Sequence, residues 1–573
     1  MKTLLCKAGA NVVLTALLAV GVVMSSAPGC FAQTQPQAPT KSTALADPPE
    51  AVMAAGAASD GVATKIAPPS AAADPADPAL PAAVAKELEA MRARIELLEI
   101  QLKASAAGGK PSEGAPDAQA KIAAQPPSVP DSPAPVAMQA QTEAAPAGPP
   151  AVDNETPFAF ADWTWLNGTP RNKDAVWDSK FFTPEVRFDT HYVSDFNHPK
   201  DDTIGGSSEI FRSNEVQAEQ ISFGGDFHWQ NVRGRVLTMF GMFAVTTPRN
   251  DASNGRGQWD LRNAYRYVSE AYGGYHWNVN HGLNLDAGIF VSYIGLFSYY
   301  NFDNWAYQPS YVSSNTPWFF NGVRLQWFPT NKLKIEPWFI NGWQSYGRFN
   351  GRPGLGGQIL YRPNDKISLV FNNYGMGTDT LGNPRRTRIH TDDSITVKYY
   401  DRPSKTLDKM AFSLTGDAGC EYGGGVSCHG NGSSGPKQSF IGYMIYNRFW
   451  FDKDKYGLTI GGGQINNPGR YLTLVPPING ADATSGTPYF TANPGDPFKA
   501  WDTSITWDYM PKQYITFRTE YGYRHASVPY FTGHGGITPA GGNTGTPSVP
   551  VPGFTPDLRK DEASLRLAIM VKF

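Results

Sequence analysis

The last thirteen residues, Asp561-Glu-Ala-Ser-Leu-Arg-Leu-Ala-Ile-Met-Val-Lys-Phe573, constrain the chain most. Ala563, Leu565, Leu567, Ile569, Val571 and Phe573 fall on one parity, whereas Ser564, Arg566, Ala568, Met570 and Lys572 fall on the other. A side-chain period of two makes this a strand with one apolar and one wet face. Ending on an aromatic at the edge of the apolar face suits the closing strand of an outer-membrane barrel, apolar toward lipid and polar toward the lumen. A soluble sandwich could hold one such strand, so the pattern must recur to decide the fold.

It recurs from Phe182 onward. Glu185, Arg187, Asp189 and His191 share one face, and Val186, Phe188, Thr190 and Tyr192 the other. Four ionisable groups in a row cannot face lipid and must face water. Turn signals follow at Asn231 to Gly234, Asn278 to Gly282, Pro329 to Lys332, Pro363 to Lys366, Asp401 to Lys405, Asp452 to Lys455 and Pro511-Lys512. Long polar, Gly-rich segments lie between them, the longest near 466–497 and 525–560.

The spacing predicts an all-β, transmembrane, antiparallel up-and-down barrel of about 16 strands. The strands fall near 185–193, 216–229, 233–245, 264–277, 283–293, 317–328, 333–343, 355–362, 367–376, 386–400, 407–416, 438–451, 456–465, 498–510, 513–524 and 561–573. Strands running toward the short turns end on a ring of lipid parity: Trp229, Trp277, Trp327, Tyr361, Tyr399, Phe451, Tyr509 and Phe573. Rings at one level form an interfacial girdle, which a sandwich has no reason to build. Short turns belong on the periplasmic side, which sets both ends of the barrel there.

Upstream, residues 1–32 read as a signal peptide, with Lys2 and Lys7 before the apolar run Val12 to Met24. Cys30-Phe-Ala32 is the expected cleavage site. Lipidation of Cys30 is the alternative, but Ala27-Pro-Gly29 lacks the usual aliphatic residue. Residues 33–81 are an Ala/Pro-rich segment without the rings needed for a core. In 82–104, Val84, Leu88, Met91, Ile95, Leu98 and Leu102 form a heptad seam, a short coiled coil expected in the periplasm. Three heptads call for self-association or a tethered neighbour; a homo-trimer would suit a barrel. A Pro/Ala/Gly-rich linker spans 105–157, and the barrel 158–573. No stretch after the signal is apolar over the ~20 residues a spanning helix needs. The net charge of -2 gives bulk nucleic-acid binding no support.

If the polar parity lines water, Arg324, Glu336, Arg386, Arg388 and Arg518 are pore-lining candidates. Asp303 joins them if the aromatic-rich loop 294–316 folds inward. Rings of charge around a water-filled lumen orient solutes and set ion preference. With Cys6 and Cys30 removed with the signal, Cys420 and Cys428 remain, and in an oxidising compartment they can close a loop disulfide. The nine His are dispersed, so no metal site, cofactor site or catalytic group stands out.

Glu270-Ala-Tyr-Gly-Gly-Tyr-His-Trp277, Asn304 to Ser310, Gln326-Trp-Phe-Pro329, Glu336-Pro-Trp338 with Asn341-Gly-Trp343, and Arg388 to Ser394 with Lys398 to Asp401 resemble the OmpL-like β-barrel porin family (porin-2 type). The resemblance spans about 157–573. It implies an outer-membrane porin allowing passive diffusion of small hydrophilic solutes or ions. It brings no settled substrate. A closed barrel serving as structural anchor or surface-loop adhesin is the alternative. A hydrolase is a distant third: His390 and Asp392 share a face, as general-base work requires, but Asp393 points away and no Gly-x-Ser-x-Gly elbow occurs.

Overall fold

The computed structural model describes Asp153 and residues 155–573, apart from 169–175, 207–208, 249–250, 252–260, 262–263, 299, 348–351, 376–384, 431–436, 469–472, 475–478, 482–496 and 539–553. These residues lie in the second of two compact units, 128–573. The expected signal peptide, the segment 33–81, the coil and nearly all of the linker fall outside the described residues.

Sixteen antiparallel strands close into one barrel. They are β1 (Phe182–Asp195), β2 (Val216–Trp229), β3 (Val232–Thr238), β4 (Val268–Trp277), β5 (Leu283–Val291), β6 (Phe319–Thr330), β7 (Leu333–Ile340) and β8 (Gly354–Asn364). β9 (Ile367–Gly375), β10 (Thr387–Asp401), β11 (Leu407–Tyr422), β12 (Ser439–Phe451), β13 (Tyr456–Asn467), β14 (Phe498–Lys512), β15 (Ile515–Ala526) and β16 (Asp561–Lys572) complete it. Each strand pairs with its sequence neighbours, and β1 meets β16 from Arg187 opposite Lys572 to Asp195 opposite Ser564. Closure leaves no edge, so every backbone polar group of the wall finds a partner without water.

The alternation sorts as lipid and lumen demand. On β16, Leu567, Ile569 and Phe573 are exposed while Ser564, Arg566 and Met570 are buried. Trp229, Trp277, Trp327, Tyr361, Tyr399, Tyr509 and Phe573 are exposed at the end bearing the short turns, and Phe451 is half-buried there. Asp452, Lys453 and Asp454 all take positive φ, as does the Gln230–Asn231 pair, giving tight turns.

Two strand limits differ most from the sequence expectation, by six residues or more. β3 stops at Thr238 instead of running to 245. Gly241 has φ 86°, a turn that only glycine makes freely, and its missing Cβ lets the chain pass Ala218. Phe243 then drops inward from a helical turn, Phe243–Thr246, onto Leu237, Met239, Ile289 and Tyr300. β11 runs on to Tyr422 rather than stopping at 416, with Cys420 joined to Cys428 at a Cα separation of 5.2 Å. Two-stranded ribbons in the long loops, Thr473–Leu474 with Asn479–Ala481 and Phe531–Thr532 with Leu558–Arg559, carry no period-two signal of their own.

The lipid face is open to test at Ile505, midway along β14 and half exposed. Ile505→Arg should lower stability by about 2–4 kcal/mol in urea titrations of the vesicle-inserted barrel, the cost of a cation at the bilayer midplane. An unchanged midpoint would remove Ile505 from the lipid face.

Candidate functional site

The inner wall is too densely charged to be left dry and unpaired, and two segments of the chain meet it. The first is the connection 292–318 between β5 and β6. Its rings have no place in water, and it folds into the lumen. Trp305, Tyr311 and Phe297 pack with Phe440, Met444, Tyr446 and Trp450 of β12. Wall carboxylates accept from it. Glu520 takes the backbone N–H of Tyr307 (2.6 Å) and Gln308 (2.9 Å), and Asp502 takes Ser310 Oγ (2.7 Å) and Tyr311 N (3.1 Å). Asp189 takes the hydroxyl of Tyr307 (2.9 Å) and the amide of Asn301 (3.0 Å). Hydrogen bonds to charged groups contribute about 1.5–3 kcal/mol each. Burial and the neighbouring Asp189 push the Tyr307 phenol well above its ordinary range, so it stays a donor. Gly463 of β13 leaves room for this approach: a Cβ there would sit 2.3 Å from Ser310 Oγ.

The second segment is 155–168, ahead of the barrel. It lies at the short-turn end, where Phe158 N donates to Asn331 O (2.7 Å) and the His281 ring meets Glu155 O (2.7 Å). Its far end reaches inward wall groups three to four residues in from the short turns. Gly168 O accepts from Arg448 Nη2 (2.7 Å) and Arg518 Nη2 (3.1 Å). These guanidiniums, fully buried, share Asp508: Arg448 Nη1 lies 2.7 Å from Oδ2 and Arg518 Nε 2.6 Å from Oδ1. Arg518 also reaches Asn301 O and Asn304 O, so one cation ties the wall to both inserted segments.

Enclosure by neighbouring strands and infolded chain decides which wall charges meet water. Arg386 and Arg388 of the sequence-derived set face inward but are enclosed, both paired with Glu421 (3.5 and 2.7 Å), and Arg388 lies over the Trp343 ring. Arg518 is enclosed as above, and Glu336 is buried against Lys334 and Gln326. Arg324 lies between the Tyr272 and Phe290 rings with Nε 3.0 Å from Asp286, its side chain 13% exposed. Asp303 rides on the infolded connection and keeps 31% of its side chain in solvent. It faces Arg187 (3.6 Å) and Lys572 (3.7 Å) across the joint between β1 and β16.

Around Asp303 lies a set of ion pairs absent from the sequence-derived candidates. Arg235 binds Glu185, Asp226 and Glu270, and Arg233 approaches Asp286 at 3.3 Å. Parity on β3 marks Arg233 and Arg235 as inward; what hid them was the register that carries Glu270 and Asp286 to them. Toward the long loops the same wall is covered, with His191, Glu219, Ser269 and Phe290 buried. His390 sits 2.8 Å from Asp417, enclosed by the Trp343 and Phe440 rings, where no substrate reaches it. Among the described residues no group of three or more His, Cys, Asp or Glu side chains could hold a metal ion.

Residues 187–549 match the profile of the family described as "Putative beta-barrel porin-2, OmpL-like". The chain belongs to that family. Its membership makes the protein a porin-type barrel of the outer membrane, and the segment 155–168 precedes the region matched. Among solved structures the fold is similar to OprB of Pseudomonas putida (10% identity, 74% of this chain and 100% of that one, TM-score 0.40). It is also similar to the outer-membrane channel DcaP of Acinetobacter baumannii (13% identity, 70% and 100%, TM-score 0.39). An anion-selective porin from Comamonas acidovorans is similar at 8% identity (68% and 99%, TM-score 0.38). No curated protein matches the chain.

Asp508→Asn tests the buried trio. It leaves two guanidiniums in the interior without a carboxylate, so the porin should lose about 3–5 kcal/mol, the cost of removing one partner from a buried pair. The urea midpoint of the vesicle-inserted barrel reads this, and a midpoint equal to the wild type would show that the trio does not hold the lumen together.

Proposed function

We propose that this porin-2 barrel conducts small hydrophilic solutes or ions by passive diffusion along the wall of β1 to β6 and β16. The observation that carries the reading is the contact of half-open Asp303 with Arg187 and Lys572. It narrows the polar lumen with opposite charges, of which Asp303 and Lys572 stay part-open to solvent while Arg187 is buried. In a site of restricted dielectric, such a pair sorts solutes by charge as well as size. The lining residues are Arg233, Asp303, Arg324 and Lys572, with buried Arg187 and Arg235 paired to the acids beside them. Arg518 holds both inserted segments, while Glu336, Arg386 and Arg388 are buried behind the lining. The short turns face the periplasm by the length asymmetry of such barrels, the outer wall meets lipid, and the expected coil at 82–104 would stand on the periplasmic side and bring copies together. The Cys420–Cys428 bond braces the top of β11.

The closed-anchor reading has one observation in its favour, the covered wall toward the long loops. Conductance of the refolded chain in a planar bilayer under a salt gradient separates the two. Stepwise openings of small amplitude are expected. Asp303→Asn removes a negative charge at the constriction and should move the reversal potential toward anions. Arg388→Glu, placed beside buried Glu421, should cost stability and leave the reversal potential where it was. Silence from protein shown to be folded and inserted would establish the closed barrel instead.

A further inference from the structure

The segment 155–168 is seated in a way that a permanent piece of the wall is not. It adds no strand to the barrel, and its only regular structure is the single 3-10 turn Thr164–Leu166. Its rings rest on cations of the rim: Phe158 and Trp163 on Arg362 (4.9 and 4.5 Å), Phe160 on Lys332 (5.2 Å) and Trp165 on Lys398 (5.7 Å). These cations stand on β8, on the turn before β7 and on β10. The Arg362 guanidinium meets rings rather than a carboxylate, with only Ser368 Oγ beside it at 3.5 Å. A cavity of about 550 Å³ opens between the segment and Arg362. At the inner end Gly168 touches the connection 292–318, where a Cβ would lie 1.7 Å from Asn304 O.

From this seating we propose that residues 155–168 are a displaceable plug of the periplasmic mouth, and that their departure widens the channel. The inference rests on the conducting reading above and concerns its regulation. The contacts are a row of rings on cations, the buried Trp165 ring in the cluster beside β12, and two guanidinium bonds to one carbonyl oxygen; none is a strand pairing, so they can be given up together. The barrel strands remain fully paired when the segment leaves. The plug is joined through Glu155 to the chain that precedes it, so tension applied to that chain is carried to the plug.

Two variants empty the mouth by different routes: deletion of 155–168, and Gly168→Val, whose added bulk cannot fit against Asn304. Each is combined with Ser368→Cys, a buried inward position on β9, and compared with Ser368→Cys alone after reconstitution of the full chain. A water-soluble maleimide should modify the thiol at least ten-fold faster in both variants, and bilayer conductance should rise several-fold. Heat-shifted gel migration reports that the barrel is folded. Unchanged labelling in folded protein overturns the plug, whatever the currents do, and so do measurable but equal currents despite faster labelling. Faster labelling with no current in any protein supports the plug while removing the conducting reading. Equal currents with unchanged labelling remove the plug and leave the channel.

Discussion

Every other feature depends on the pairing of β1 with β16. In hydrocarbon an unpaired backbone N–H or C=O costs several kcal/mol, so a sheet of amphipathic strands must close or leave the membrane. The ladder from Arg187–Lys572 to Asp195–Ser564 makes that closure. It also fixes where the lumen narrows, because Arg187 and Lys572 meet at this joint and Asp303 reaches over to both.

Closure creates a second constraint. A ring of strands that turns all its polar residues inward concentrates charge in a confined volume, where each group needs a partner or water. The wall acids Asp189, Asp502 and Glu520 receive backbone and side-chain donors from 292–318. Arg448 and Arg518 share Asp508 and are completed by carbonyl oxygens of the inserted chain. The lumen is thus partly solid and partly wet, and the wet part is the one with half-open pairs.

The wall was legible in the sequence because period two is a local response to lipid on one side and water on the other. Alternation in β1 and β16 and the girdle from Trp229 to Phe573 needed no knowledge of distant contacts. The end of β3 was not legible, since its stop depends on Gly241 passing close to Ala218 on the neighbouring strand. Nor was the sorting of inward cations into covered and wet. Arg388 and Arg324 have the same parity and chemistry; one is closed off by Glu421 and Trp343, the other stays partly open. That difference is set by neighbouring strands and by chain folded in from elsewhere, as when Arg518 meets Gly168. The infolding of 294–316 stood in the sequence only as a condition on Asp303, because its aromatic residues carried no address.

The contacts of Gly168 also impose an order of assembly. Its partners Arg448 and Arg518 stand on β12 and β15, hundreds of residues later in the chain. The first described part of the chain to be made is therefore the last to find its place: its seat does not exist until the ring has been joined. Contacts of such long sequence separation are slow to form because the entropy of closing the intervening chain must be met first. Nascent barrels should accordingly pass through an interval in which the wall is whole and the mouth is bare.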